Sequence, residues 1–240
     1  MDASIINEIL YEASYLSIFL IVFAYFLALY FLLGPLFLSL CKWFESKGWV
    51  SKIVDKEVPA RQIKYEIRHS LVSIVLFGFS AFPVIYLIRN GTIILLEDTV
   101  WNILGGLLIL NVWNEIHFFI VHRIMHLPFF LKRVHYVHHR SRVPTVYSVY
   151  SFHWLEAALL STVPLTIAVF LPFSIWALSL YPITSILLNY AGHCNYRFGK
   201  GTGKSWTLFG THHNEHHYKW RQNYGFASDL LDRLLSKFQK

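Results

Sequence analysis

The stretch YLSIFLIVFAYFLALYFLLGPLFLSL, Tyr15 to Leu40, contains no Asp, Glu, Lys or Arg. A helix needs about 20 apolar residues to cross the hydrocarbon core of a bilayer, so this run is long enough for one span. Of the 240 residues, 55% are hydrophobic and 18% are aromatic, which is more apolar than a soluble domain. The sequence therefore predicts an integral membrane protein.

Three more apolar stretches follow. Leu71 to Ile88 and Val100 to Val121 each have the length of one span. Ala157 to Tyr196 has no charged residue, and as one helix it would be roughly 60 Å long, twice the hydrocarbon thickness. It is better explained as a hairpin with Pro172 near its tip. We expect an all-α, multi-pass transmembrane helical bundle of about four to five spans, including this hairpin.

The basic residues predict the orientation of the bundle. Lys42 to Arg68, Arg123 to Arg142 and Arg197 to Lys240 together hold all but one of the 21 lysines and arginines. Alternating spans place these segments on one side, and basic loops stay in the cytoplasm. We expect a bacterial inner-membrane protein, or an endoplasmic reticulum protein in a eukaryote. A basic cytoplasmic face also explains the net charge of +7 without a nucleic-acid partner.

The chain divides into two regions of one integrated domain. Residues 1–99 form an amino-terminal membrane scaffold of two spans and a cytoplasmic segment, in which the spacing of Gln62, Ile63 and Ile67 predicts an interfacial amphipathic helix. Residues 100–240 hold the third span, the hairpin and a cytoplasmic histidine-rich cap. The helical apolar pattern from Asp229 to Phe238 indicates that the end of the chain helps to close this cap.

All but one of the 13 histidines lie from His117 onward, and they form one HxxxH box and two HxxHH boxes. Residues three or four apart share a helix face, so each box directs imidazoles the same way. Neutral imidazole is a common ligand of iron, zinc, copper and nickel. The boxes and two isolated histidines give the expected metal ligands, which are His122, His126, His135, His138, His139, His153, His193, His213, His216 and His217.

About eight to ten imidazoles, at four to six ligands per iron, indicate two metal ions. Zinc needs fewer ligands, so their number favours iron, which also binds O2, although zinc can replace iron in a purified sample. His153 could instead make a structural hydrogen bond, for example to Glu156. His117 lies off the ligand face and is expected to be structural. Four residues are expected to contact or orient the ligands without binding metal, namely His212, Glu156, Glu215 and Asn189.

Five motifs stand out between His122 and Phe226. They are His122-Arg123-Ile124-Met125-His126, the stretch from Val134 to Ser141, Phe152-His153, the stretch from His213 to Tyr218, and Asn223-Tyr224-Gly225-Phe226. Together they resemble the fatty acid hydroxylase and sterol desaturase superfamily, over roughly Val100 to Phe238. The resemblance implies a membrane helical bundle with a cytoplasmic dimetal site, the ten histidines as ligands, and O2-dependent oxidation of an unactivated lipid C–H bond.

The expected function is a membrane di-iron oxygenase that hydroxylates or desaturates a fatty acyl, sphingoid or sterol-like lipid, with O2 as co-substrate. The chain has no recognisable haem domain or GxGxxG motif, so a separate small redox protein and reductase must supply electrons. An acidic carrier would suit the basic face that includes Lys132, Arg133, Lys219 and Arg221.

Two other classes of protein stay open. A membrane metal-binding or transport protein would place its ligands near the bilayer midplane, and a membrane zinc hydrolase would need a spare general base.

Overall fold

The computed structural model describes residue 6 and residues 8–198, 210–219 and 223–238, and most of them are helical. The main helices are α1 (Tyr15–Ser46), α2 (Ala60–Arg89), α3 (Val100–Met125), α4 (residues 128–139), α5 (Trp154–Leu160), α6 (Val163–Ala168), α7 (Ile175–His193), α8 (Thr211–Lys219) and α9 (Leu230–Phe238). Two short helical segments, Glu8–Glu12 and Val146–Ser148, accompany them. The strands are β1 (Val50–Lys52), β2 (Leu95–Leu96), β3 (Phe173–Ser174) and β4 (Tyr196–Phe198). The predicted all-α class is confirmed.

Three of the described helices, α1, α2 and α3, are long and apolar enough to cross a membrane. Ser14 and Thr99 cap α1 and α3 by accepting the backbone N–H groups of Ser17 and Asn102. Large apolar side chains stay exposed along all three helices, among them Leu16, Leu20, Leu32, Leu36, Val72, Val75, Leu104, Leu108 and Val112. An apolar surface of this extent belongs in lipid, so the chain is a membrane protein.

The helix predicted around Gln62 is present, but it is not a separate interfacial helix. It forms the first turns of α2, which continues into the second span without a break. In these first turns the side chain of Glu66 is fully buried and accepts hydrogen bonds from Gln62 Nε2 at 2.8 Å and from the Thr145 hydroxyl. These contacts fix the start of α2 against the loop that follows α4.

The predicted hairpin has two unequal helical arms. The first arm breaks between α5 and α6, where Ser161 and Thr162 turn their hydroxyls back onto backbone carbonyls. The 15 residues of Trp154–Ala168 extend about 22 Å, less than a full span. Pro172 lies in the connection to α7, as expected. β3 pairs in parallel with β2 and so fixes the hairpin tip beside the connection between α2 and α3. The count of four to five spans stays a prediction.

Helices α3 and α7 pack closely, and this packing positions the functional residues. A Cβ on Gly106 would lie only 2.7 Å from the Cβ of Ala177, so a larger residue at position 106 would separate the helices. Further along the same interface Tyr181 donates a hydrogen bond to Asn114 Oδ1 at 2.8 Å. The histidine-bearing ends of both helices therefore lie side by side.

Candidate metal centre

The structure brings nine of the ten predicted ligands together at one end of the bundle. They form a five-histidine group (His122, His126, His135, His139 and His216) and a four-histidine group (His138, His193, His213 and His217). Within each group the ligand atoms lie within 4.8 Å of one another. The groups adjoin, since the ring centroids of His139 and His217 are 5.1 Å apart and those of His122 and His213 are 5.7 Å apart. This arrangement could hold two neighbouring metal ions.

The helical repeat explains why one HxxHH box serves both groups. Side-chain directions turn by about 100° per residue, so positions i and i+4 point nearly the same way and position i+3 diverges from them. In α8, His213 and His217 therefore join the four-histidine group, whereas His216 joins the five-histidine group. The box in α4 divides in the opposite sense, with its outer pair in the five-histidine group and His138 in the other.

Three nitrogens of the five-histidine group form a tight triangle. His126 Nε2 lies 3.0 Å from His216 Nε2 and 3.2 Å from His139 Nε2, and the third side measures 3.1 Å. A point just outside the plane of this triangle is about 2 Å from all three nitrogens, a normal metal–nitrogen bond length. The Nε2 atoms of His122 and His135 are buried and have no hydrogen-bond partner among the described residues. The group therefore fits a metal ion.

The four-histidine group is similar in chemistry and more deeply buried. His193 Nε2 lies 3.3 Å from His138 Nε2 and 3.2 Å from His217 Nε2. Both ring nitrogens of His213 are buried, and neither makes a well-aligned hydrogen bond within the described part of the chain, although the Gly225 backbone lies close by. A buried polar atom left in this state costs about 1–3 kcal/mol. Binding a metal ion would remove that cost, so this group also fits one.

Hydrogen bonds at Nδ1 hold several rings so that Nε2 faces the interior of the centre. The Nδ1–H of His122 donates to the Tyr224 carbonyl at 2.9 Å, and that of His193 donates to the Asn189 carbonyl at 2.9 Å. His135 Nδ1 lies 2.7 Å from the Glu156 carboxylate. A carbonyl oxygen only accepts, so Nδ1 carries the proton and Nε2 keeps a free electron pair for a metal.

Burial and mutual repulsion keep five of the ligand imidazoles neutral. Burial, reinforced by the nearby rings of His135 and His216, lowers the pKa of His126 to about 2. The same causes, burial first, lower the pKa values of His138, His139, His213 and His217 well below the ordinary value. A ligating imidazole must be unprotonated at its donor nitrogen, so the environment maintains the ligand-competent form near neutral pH.

Glu115, a carboxylate that the sequence placed near the boxes, holds the carboxy-terminal segment against the centre and binds backbone amides rather than an imidazole. Its carboxylate accepts the backbone N–H groups of Phe226 at 3.0 Å and Ala227 at 2.9 Å. These bonds fix the segment whose Tyr224 carbonyl orients His122. Gly225 allows the close turn, since a Cβ there would lie 1.9 Å from the Ser228 carbonyl oxygen. The available signal was a carboxylate in the apolar third span.

His153 belongs to neither group. It precedes α5, and its Nδ1 accepts the backbone N–H of Leu155 at 3.2 Å, which is a helix-capping role. Glu156, three residues later, reaches the centre instead through His135. The structure therefore favours the structural alternative for His153, although the hydrogen bond is made to a backbone amide rather than to Glu156.

The remaining candidates lie around the centre. His117 has the structural role expected for it and makes a 3.0 Å hydrogen bond to Thr162. His212 is 3.6 Å from Asp229 and contacts the carboxy-terminal segment. Glu215 lies 3.7 Å from Lys219 and lines a surface pocket that also contains Asp55 and Arg197. Asn189 contacts a ligand through its backbone carbonyl, and Glu156 contacts one through its side chain.

An apolar cavity of about 110 Å³ lies among α1, α2, α3, α5 and α7. None of the described residues that line it carries a charge. Two lining aromatic rings contact the histidines, since Phe152 is 4.7 Å from His138 and Phe118 is 4.9 Å from His122 between ring centroids. Phe226 packs against Phe118 in a tilted arrangement, with 4.9 Å between ring centroids. The cavity therefore ends at aromatic rings that border the centre.

Fold and site together define a helical membrane protein with a buried histidine centre able to hold two metal ions. The sequence model of the fatty acid hydroxylase family matches residues 107–237, which contain all three histidine boxes. The chain belongs to this family, as the motifs predicted, and the family is one of oxidoreductases. No solved structure matches the chain.

Proposed function

We propose that this protein is a membrane di-iron oxygenase that hydroxylates or desaturates an unactivated C–H bond of a lipid. Nine imidazoles in two adjoining groups at the end of an apolar cavity support the proposal most directly. Two iron ions bound there would supply O2-dependent oxidation of the C–H bond. The number of imidazoles favours iron over zinc, because a zinc ion in a protein usually has only four ligands.

The protein itself would position the imidazole rings and exclude water from the centre. Carbonyl and carboxylate partners at Nδ1 hold the rings in one orientation, which maintains metal affinity. The rings of Phe118 and Phe152 separate the centre from the cavity with apolar surface. A lipid chain in the cavity would therefore approach the metals through apolar surroundings, where reactive species are protected from hydrolysis and proton leakage.

The electrons would come from a separate acidic redox protein on the cytoplasmic side. Lys132 and Arg133 are exposed on α4, the helix that carries the second box. Lys219 is exposed at the end of α8 and lies 3.7 Å from Glu215, and Arg221 lies outside the described residues. Basic side chains this close to the ligands would attract an acidic carrier and accelerate its docking.

Charge reversal tests this docking site. We expect the double variant Lys132→Glu, Arg133→Glu to slow reduction by the natural carrier, with the largest effect at low ionic strength. Reduction by dithionite provides the control and should proceed at the wild-type rate. An unchanged rate of reduction by the carrier would contradict a docking role for these residues.

The test of the main proposal combines metal content with product formation. The protein is purified anaerobically after iron supplementation, and we expect about two irons per chain by mass spectrometry. Supplied with O2, a reductase system and membrane lipids, it should form hydroxylated or unsaturated products.

The double variant His138→Ala, His216→Ala removes one ligand from each group and should lose both metal and product. His69→Ala, outside both groups, is the matched control. Turnover of lipid without O2 would contradict the proposal.

A further inference from the structure

The apolar cavity contains two polar side chains whose hydrogen bonds are incomplete. Asn114, on α3, and Asn189, on α7, both line it and are 6% and 8% exposed. Asn114 Oδ1 accepts from Tyr181, and Asn189 Nδ2 donates to the Val149 carbonyl at 3.0 Å. Asn114 Nδ2 and Asn189 Oδ1 are buried and have no hydrogen-bond partner among the residues that the structure describes. One free donor and one free acceptor therefore remain.

Other polar groups on the cavity wall are already satisfied. Ser80 donates to the Phe77 carbonyl at 2.8 Å, and Ser161 donates to the Ala158 carbonyl at 2.8 Å. An asparagine in a membrane bundle is costly unless a partner satisfies it, and buried polar groups are normally paired. A plain hydrocarbon chain in the cavity would therefore leave the free polar atoms of both asparagines without a hydrogen-bond partner.

We propose that the cavity selects lipids that carry a neutral group with both a hydrogen-bond donor and an acceptor, namely a hydroxyl or a secondary amide. Such a group would donate to Asn189 Oδ1 or accept from Asn114 Nδ2, the two polar atoms left without a partner on the cavity wall among the described residues. An ester or a ketone would satisfy only Asn114, and a saturated chain would satisfy neither. The absence of charge among the described lining residues disfavours a carboxylate or an amine at this depth.

The positions of the two asparagines relate this polar group to the metals. Asn189 lies one helical turn before His193 on α7, and Asn114 lies about two turns before His122 on α3. At 1.5 Å per residue these offsets are about 6 Å and 12 Å along the helices. The polar group would thus bind deeper in the membrane part of the cavity, several carbon atoms from the oxidised position. The inference rests on the proposed function, because it assigns the substrate class of that same site.

Competition binding tests the selection without turnover. The full-length protein in nanodiscs is labelled with a photoreactive lipid, and three unlabelled competitors of equal chain length are compared: a long-chain alcohol, an N-alkyl amide and the plain alkane. We expect the alcohol or the amide to compete roughly 10- to 100-fold better than the alkane, the range expected for satisfying one or two buried groups. Comparing the alcohol with the amide then shows which of the two groups the cavity binds more tightly.

The variants Asn114→Leu and Asn189→Leu keep the side-chain size and remove the polar atoms. We expect them to abolish the preference while leaving competition by the alkane unchanged, which also shows that the cavity is intact. Ser161→Ala is the matched control, because its hydroxyl lines the cavity but is already used, and its preference should equal that of wild type. Equal competition by alcohol, amide and alkane in wild type would overturn the inference, as would retained preference in both asparagine variants.

This design separates the inference from the proposed function. A preference for polar competitors in a protein that retains no iron would contradict the oxygenase and leave the binding inference standing. Oxidation of plain chains by a protein with two bound irons and no preference for polar competitors would support the oxygenase and contradict the binding inference.

Discussion

The five-histidine group and the four-histidine group consist of the same side chain but differ in their surroundings. The four-histidine group is completely buried, and its member His138 contacts the cavity ring Phe152. The five-histidine group includes the half-buried His126, which contacts Tyr224 of the carboxy-terminal segment with 4.9 Å between ring centroids. Fewer imidazoles leave more coordination positions open. The other cavity ring, Phe118, contacts His122 of the five-histidine group, so the number of imidazoles and the depth of burial are what distinguish the two groups. Under the proposed function, we expect the substrate to be oxidised on the four-histidine side.

The largest effect is expected from removing a ligand of the four-histidine group. His193→Ala should reduce product formation by more than about 100-fold, since even the partners of metal ligands are worth 10- to 100-fold. Product is measured by lipid mass spectrometry at equal protein levels, with His69→Ala as the control. Substantial remaining activity would show that this group is not the one beside the substrate.

A smaller effect is expected from His126→Ala in the five-histidine group. Four imidazoles would remain there, so we expect weaker retention of one iron while the four-histidine group keeps its own. Iron per chain, measured during dialysis against a chelator, should fall from about two towards one. Simultaneous loss of both irons would break the comparison, because it would make the two groups a single cooperative unit.

Glu156→Gln tests whether a residue that orients a ligand affects the five-histidine group alone. The substitution keeps the shape but removes the negative charge beside His135 Nδ1, so metal affinity of the five-histidine group should fall by about 10- to 100-fold. Glu215→Gln is the matched control, since that carboxylate lies beside Lys219 and contacts no ligand ring among the described residues. Equal metal affinity in the two variants would argue against a role for the Glu156 contact.

The smallest effect concerns the pH dependence of the metal-free protein. His126 has a folded-state pKa of about 2, whereas a histidine in an unfolded chain has a pKa of about 6.5. Between these values only the unfolded chain binds the proton, so stability is present above about pH 6.5 and falls as the pH is lowered. The melting temperature in detergent should therefore decrease from pH 7 to pH 5, with a shallower decrease in His126→Ala. A melting temperature that rises on acidification would contradict this assignment.

Much of the fold followed from local patterns. The apolar run from Tyr15 predicted α1, and the lengths of the other runs predicted α2, α3 and the hairpin. The helix predicted at Gln62 is present but is continuous with the second span, and its Glu66 contacts Thr145, 79 residues further along the chain. No local pattern contains that information.

The sequence by itself determined the membrane class, the family and the histidine boxes, because hydrophobic length and helical spacing are properties of neighbouring residues. Tertiary packing decided which histidines share a metal position, why His153 caps a helix, and which partner holds each ring. The bond from His122 to the Tyr224 carbonyl joins residues 102 positions apart. Such contacts arise only when helices, loop and carboxy-terminal segment pack together, since their geometry depends on all of these elements at once.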